Sequence, residues 1–432
     1  MSGKPSALYH LVLCGTGIVL LTLAAPFAFE VGGDNAFIAL AIPAALLAIP
    51  ATAVAERAPR RALWLIIAVA IALRIFALSF PPLLSSDIYR YVWDGTVQAA
   101  GINPYRYVPA DPALASLRDM AIYPHIDRAD YAPTIYPPVA QVFFLLATRF
   151  GANTVAMRAA LLVCEALSVF IVLLLLKRVD RPQTRIVAYL WHPLPIWEIA
   201  NSGHVDALMV CLMLIGIWLA VSGRAIPGAV AVALAALVKP FALPALAAVW
   251  RPWNWKMILA VLATVALCYA PYLSVGANAL GFLTKGYLSE EGISSGAGLW
   301  LPSLWRLLFG AHRGDVAVYV AFAALTLLLL ALSIWRRPER NTASALGGIN
   351  MLLLATLLLL SPNYPWYFLP VVPFVALCGS ASAWAATVGA ILLTNEVETD
   401  FHISTMLVKS LIFGSVLLSA LWSEWPTKAR VA

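Results

Sequence analysis

Charge is what this chain has least of. Lys, Arg, Asp and Glu make up 11% of its 432 residues while 62% are hydrophobic, and the mean hydropathy is +0.86. Soluble globular domains carry about a quarter charged residues, so too little polar surface is present to cover a water-facing body of this length. Nucleotide fingerprints are missing as well. No Walker loop, Rossmann glycine pattern or Gly-x-Ser-x-Gly elbow occurs, and use of a nucleotide or nucleotide-sugar has no support. Cysteine is sparse: Cys14, Cys164, Cys211, Cys268 and Cys378 stand in apolar segments without paired spacing. They read as small hydrophobes rather than disulfide partners or zinc ligands. No Asn-x-Ser/Thr sequon occurs, which favours a prokaryotic source.

What the chain does have is apolar runs near 20 residues, the length a helix needs to cross roughly 30 Å of hydrocarbon. They do not alternate, so a transmembrane β-barrel is not indicated. Spans are expected near 8–28, 35–54, 62–82, 156–176, 185–202, 205–222, 257–275, 315–334, 344–361 and 403–421. Regions 225–250 and 366–394 each read as one interrupted helix or two short ones. Lys4 ahead of the first run suggests a start-transfer helix, and Leu13 before Cys14 argues against a lipoprotein cleavage site.

Loop charge arbitrates between topologies. The net charge of +7 is scattered and reads as inside-positive topology, with no nucleic-acid partner implied. Arg57, Arg60 and Arg61, Lys177 to Arg185, Arg251 and Lys256, Arg336 to Arg340, and Lys428 with Arg430 all fall on the cytoplasmic side only if both ambiguous regions are hairpins. Lys239-Pro240 and Gly379–Ser382 supply the breaks. The expected fold is an all-α polytopic membrane protein with about 14 membrane-embedded helices (about 12–14 if short ones are re-entrant) and both termini cytoplasmic. Leu84–Tyr136 then becomes a long extracytoplasmic loop with six aspartates and four arginines, rich in Tyr, Pro and Trp and so expected to be ordered around interfacial helices.

Polar groups able to do chemistry crowd that outer face. In Ser85-Ser86-Asp87-Ile88-Tyr89-Arg90-Tyr91-Val92-Trp93-Asp94-Gly95 a serine can cap a short helix. Asp87, Arg90, Tyr91 and Asp94 then share one helical face. Two carboxylates and a guanidinium so placed can deprotonate a hydroxyl and hold a phosphate; a solvated interfacial helix would use the same residues, and spacing leaves both readings open. Thr134-Ile135-Tyr136-Pro137-Pro138 opens an apolar run too short to span, expected along the outer leaflet. Glu198, His204 and Asp206 cluster at a membrane edge, where ionisable groups are functional candidates, although a polar turn between helices would look alike. Their spacing matches no standard metal set.

Lys239 lies between apolar runs, where a charge costs about 2.5–3.5 kcal/mol on insertion scales. It either snorkels to the surface or meets a lipid phosphate. Ser361-Pro362-Asn363-Tyr364-Pro365-Trp366-Tyr367 and the acidic stretch with Glu396, Glu398, Asp400 and His402 lie on the outer side, where aromatics suit either a membrane belt or sugar stacking. Arg74 and Glu165, inside spans, are expected to pair structurally.

Taken in order, Ser86 to Tyr91 through Gly101-Ile102-Asn103-Pro104-Tyr105, Ile135 to Pro138, Ser202-Gly203-His204-Val205-Asp206, Leu237-Val238-Lys239-Pro240 and Pro362 to Tyr367 resemble the GT-C glycosyltransferases, especially polyprenyl-phosphate-mannose-dependent mannosyltransferases of the bacterial envelope. The resemblance runs across about residues 60 to 375. It implies an inverting hexosyltransferase of a bacterial inner membrane, with its catalytic aspartate in the first long outer loop, where Asp87 stands. On that reading residues 1–60 are two accessory helices, 61–275 the catalytic core with loop 84–136, and 276–432 a C-terminal region whose outer loops complete the site. Asp87 is the expected base and Asp94 its reserve. Arg90, Lys239 and His204 would hold the donor phosphate, and Tyr91, Tyr136, Glu198, Asp206, Tyr364 and Trp366 would contact donor or acceptor. No cofactor or obligatory metal is expected, since phosphate leaves readily once neutralised. The implied partners are a polyprenyl-phosphate sugar, a lipid or glycan acceptor and membrane lipids. The rivals are a lipid-sugar flippase, for which no internal repeat is visible, and a ligase or polymerase using diphosphate-linked glycans.

Overall fold

A computed structural model of the chain describes residues 6–249, 254–280, 286–336, 341–394 and 405–424. Among these there is no strand, and the fold is all-helical. Among the described residues six helices are long and apolar enough to cross a membrane, or seven if the bent pair Pro193–Asn201 and Asp206–Val221 counts as one span. The remaining apolar helices of the expected set are shorter, such as Ala62–Leu78, Pro138–Thr148 and Ala225–Ala236.

Local chemistry sets the boundaries. Helix α1 (Ala7–Ala55) starts on Ser6, whose hydroxyl accepts from the Tyr9 amide. It is two helices in one run, because Gly32 and Gly33 leave helical backbone, Gly33 at φ +60°. This is the junction expected between the first two spans. Next come α2 (Ala62–Leu78), α3 (Asp87–Ala99), α4 (Pro138–Thr148) and α5 (Thr154–Arg178). At about 16 Å, α4 is too short to span, and Pro138 serves as its first helical residue. Helix α5 is capped by Asn153 and ends on Lys177 and Arg178, cations that complement the helix dipole. Inside the bundle Arg74 grips Glu165 through two parallel contacts, Nε to Oε2 at 2.8 Å and Nη2 to Oε1 at 2.6 Å, as expected of that pair.

The span expected over 185–202 is not one helix. It breaks into short turns at Gln183–Ile186, Val187–Leu190 and Pro193–Pro195, then a π-helical turn at Ile196–Asn201. Pro193 and Pro195 remove amide donors and end the regular ladder. The chain then turns by 118° into α6 (Asp206–Val221), which leaves Glu198 and His204 in irregular backbone deep in the protein. Residues 184–206 are buried throughout, so this irregular backbone is enclosed by protein.

Helices α7 (Ala225–Ala236) and α8 (Leu243–Val249) pack on one another around a break at Lys239-Pro240. Then follow α9 (Trp255–Tyr269), α10 (Trp300–Phe309), α11 (Asp315–Trp335) and α12 (Thr342–Leu360). Region 366–394 likewise divides, into α13 (Val372–Cys378) and α14 (Ala381–Gly389), at Gly379 with φ +67°. Helix α15 is Thr405–Ser419. Both interruptions fall where Lys239-Pro240 and Gly379–Ser382 predicted them.

Loop 84–136 is folded. Ring contacts tie Tyr89 to His125 (4.6 Å) and Trp93 to Tyr123, and Arg118 lies over the Tyr123 ring. Helix α3 closes on α4 at Gly95, where an added Cβ would stand 2.5 Å from the Phe144 carbonyl oxygen. Beside it Tyr91 is enclosed, stacked on Phe144 at 4.6 Å and edge-on to Tyr136 at 4.9 Å.

Candidate active site

The site forms where α3 meets the irregular segment before α6. Asp87 opens α3, and its amide donates to Ser85 Oγ at 3.2 Å. Ser86 does not cap the helix; its hydroxyl donates to Asp127 instead, joining the two ends of the outer loop. Below α3, Arg158 donates to the carbonyls of Phe80 (2.7 Å) and Asn201 (3.2 Å). Asn201 in turn donates to Ala77 and Pro81 and accepts from the Leu83 amide. These bonds fasten the 79–86 crossover to the 196–206 segment, and so fix Asp87 relative to His204.

Gly203 makes that approach possible. Its φ is +75°, and a Cβ there would meet Ile88 Cδ1 at 2.4 Å. His204 Nδ1 consequently lies 3.8 Å from Asp87 Oδ2, and its Nε2 lies 3.2 Å from Glu198 Oε2. Trp366 stacks on the imidazole at 4.0 Å, and Tyr364 stacks on Trp366 at 4.5 Å. Lys239 Nζ contacts Asp206 Oδ2 at 2.5 Å and sits 4.9 Å from the Tyr367 ring centre.

Of Asp87, Glu198 and Asp206, Asp87 alone has an open face, its side chain 29% exposed, and it accepts from the Tyr91 hydroxyl at 3.3 Å. Burial pushes its carboxyl above the usual carboxylate range and Asp127 adds to this, while Lys239, a hydrogen bond from Tyr136 and Arg128 pull it down. A carboxylate so tuned is a better base than a free one near neutral pH.

Asp87 lines a small cavity with Ser86, Arg90, Asp127, Arg128 and Tyr136. Ile135 and Tyr136 are also walls of a second cavity, of about 200 Å³. That second space is apolar along Pro137, Val238, Pro240, Phe241 and Leu360, and Lys239 is its cation.

Asp87, Tyr91, Tyr136, Glu198, His204, Asp206, Lys239, Tyr364 and Trp366 thus come together from five separate stretches of chain. Asp94 and Arg90 are placed differently. Asp94 is buried, with one oxygen held by Arg90 at 2.9 Å and the other by Gln141 at 2.9 Å. The remaining nitrogens of Arg90 donate to the Ala132 carbonyl, although the side chain still edges the Asp87 cavity. His204 is wholly buried. Sequence reasoning did not single out Arg128, Glu291, Arg158 or Asn201. Arg128 reaches the Asp87 cavity while bridging Glu290 at 2.7 Å, and Glu291 accepts from Asn363 (2.8 Å) and Tyr364 (3.2 Å). None of the four had a periodic or motif signal. Glu396, Glu398, Asp400 and His402 lie outside the described residues.

From the second half of α1, Phe37 packs edge-on against Trp197, the neighbour of Glu198, at 5.3 Å.

Comparison with known proteins follows the same residues. The chain is 26% identical over 309 residues to alpha-(1->6)-mannopyranosyltransferase A of Mycobacterium tuberculosis, covering 66% of this chain and 60% of that protein. It is 24% identical over 376 residues to a probable alpha-(1->6)-mannopyranosyltransferase of Mycolicibacterium smegmatis, covering 72% and 65%. The chain therefore spans less than two thirds of the length of these relatives. No solved structure matches. The model of the MptA_B family, described as alpha-(1->6)-mannopyranosyltransferase, N-terminal domain, matches residues 22–255, a stretch that begins within α1 and contains Asp87, Tyr136, Glu198, His204, Asp206 and Lys239. With more than half of its length matched, this chain belongs to the MptA_B family of GT-C-like mannosyltransferases.

Proposed function

We propose that this protein transfers mannose, with inversion, from a polyprenyl-phosphate donor to a hydroxyl of a lipid or glycan acceptor at the outer face of a bacterial inner membrane, both chain termini being cytoplasmic. The observation that carries the reading is Asp87, a partly exposed carboxylate separated only by Tyr136 and Ile135 from an apolar cavity that contains Lys239. The donor's isoprenoid would lie along Pro137, Val238 and Phe241. Its phosphate would meet Lys239, a preorganised cation in a low-dielectric setting.

The acceptor oxygen attacks the anomeric carbon and its proton passes to Asp87. The bond from that carbon to the phosphate oxygen breaks, and polyprenyl phosphate departs with the electron pair. Base and leaving group then act on opposite faces of the sugar, which is why the configuration inverts. Tyr364 and Trp366 offer aromatic faces for sugar or acceptor, and Tyr91 orients the base. Asp94 and Arg90 have a supporting part in this scheme, holding α3 to α4 and to Ala132.

The test combines purified protein, polyprenyl-phosphate [14C]mannose and an acceptor glycan. Asp87→Asn preserves size and the Tyr91 contact and is expected to lower kcat by about 10²–10⁴-fold. Turnover within threefold of wild type, or reporter fusions that put residue 87 in the cytosol, would overturn the assignment. Diphosphate-linked donors as better substrates would favour a ligase or polymerase instead.

A further inference from the structure

His204 is enclosed completely, yet among the described residues neither of its ring nitrogens has a hydrogen-bond partner, and Glu198 Oε2 beside it is also unpartnered. Buried polar atoms are seldom left unmatched without a reason. Both nitrogens nevertheless lie close to carboxylates: Nδ1 is 3.8 Å from Asp87 Oδ2 and Nε2 is 3.2 Å from Glu198 Oε2, so a small adjustment of either side chain would align a hydrogen bond. Stacking on Trp366, with 20° between the ring planes, holds the imidazole in that orientation.

We propose that Glu198 and His204 are positioning residues for Asp87: a protonated Glu198 donates to Nε2, and the Nδ1–H of a neutral His204 donates to the Asp87 carboxylate. This rests on the reading of Asp87 as the base. Charge balance supports it. Besides His204, whose complete enclosure beside Lys239 disfavours a second cation on the ring, the ionisable groups around Glu198 are Asp206, Lys239 and Asp87. Lys239 is already matched by Asp206, and Asp87 must be ionised to accept a proton. A third ionised carboxylate in the same enclosed space would have no cation, so the proton stays on Glu198. Glu198 then becomes the donor of its pair, Nε2 the acceptor, and the single ring hydrogen is left at Nδ1. The tautomer of His204 is thereby set from the far side of the ring. Around Asp87 stand Tyr91 and Tyr136, which both offer hydroxyl hydrogens, together with Lys239, Asp127 and Arg128. The long Asp87 contact belongs to the substrate-free protein and would tighten as the acceptor settles, since such contacts are commonly loose before substrate binds. On this view His204 meets Asp87 and not the donor phosphate. The acceptor proton rests on Asp87 until product leaves.

Four variants and one spectrum test the chain. Glu198→Gln keeps a donor for Nε2 and is expected to turn over within about threefold of wild type, whereas Glu198→Ala frees the ring to take the wrong tautomer and should lose at least about tenfold in kcat at unchanged donor KM. His204→Asn, which can present an N–H where Nδ1 stood, should outperform His204→Gln. Infrared spectra of wild type near neutral pH should contain a protonated-carboxyl band that disappears in Glu198→Gln. Absence of that band, or Glu198→Gln as inactive as Glu198→Ala, refutes the proposal. If wild type transfers no mannose at all, the functional reading fails, while the band still decides the protonation of Glu198.

Discussion

Lys239→Met separates what Lys239 does for the fold from what it does for the donor. The side chains of Lys239 and Asp206 are 9% and 0% exposed, and Nζ lies 2.5 Å from Oδ2. Methionine fills the stem's volume but leaves the Asp206 carboxylate enclosed without a cation. Breaking a buried pair in this way costs about 3–5 kcal/mol, and the lost ring contacts with Tyr367 and Trp366 add about 0.5–2 kcal/mol. Adding Asp206→Asn removes the stranded charge, so the double variant should recover most of the pair term and stay within about 2 kcal/mol of wild type. Turnover should behave otherwise. If Lys239 neutralises the leaving phosphate, both variants should lose about 10²–10³-fold in kcat, and the stabilising second change should restore none of it. Denaturant unfolding in detergent reads the first effect, and single-turnover transfer from polyprenyl-phosphate mannose reads the second. A double variant no more stable than Lys239→Met refutes the coupling. A double variant with wild-type turnover refutes the phosphate role.

Further expectations follow from the same geometry. Because burial raises the Asp87 carboxyl and only the ionised form accepts a proton, kcat should rise with pH through a limb above the free-carboxylate range; a pH–rate profile flat from that range upward would contradict this. Gly203→Ala sets a side chain at φ +75° against Ile88 and Arg158 and should cost about 1–3 kcal/mol, with turnover falling as His204 shifts; unaltered unfolding and kcat would show that the close approach is unimportant. Glu165→Ala strands Arg74 and should destabilise by about 3–5 kcal/mol, while folded protein that survives keeps its donor KM. A change in KM there would mean that the pair reaches the site.

Much of this was legible along the chain. A 3.6-residue period placed Asp87, Tyr91 and Asp94 on one side of α3, and Arg74 and Glu165, opposite charges inside neighbouring spans, were expected to pair and do. Lys239-Pro240 and Gly379 broke the helices where proline removes an amide and glycine admits a positive φ. The expectations that failed share another cause. Of the two serines offered for the start of α3, Ser85 accepts the Asp87 amide, while Ser86 had several possible acceptors and a distant Asp127 took it from the helix end. The span at 185–202 looked continuous in hydropathy, but hydropathy does not register what Pro193 and Pro195 do to a hydrogen-bond ladder.

Composition and periodicity by themselves determined a helical membrane chain with its reactive groups gathered in a few loops, because both depend on the nearest few residues and on transfer from water. Which carboxylate stays open was decided only in three dimensions. Asp94 and Asp87 lie on the same face of one helix, yet Gln141 and Arg90 occupy the first while a glycine-allowed turn brings His204 up to the second. Those partners stand 4 to 117 positions away in the sequence, and a carboxylate's chemistry follows from the dipoles and charges around it rather than from its place in the chain.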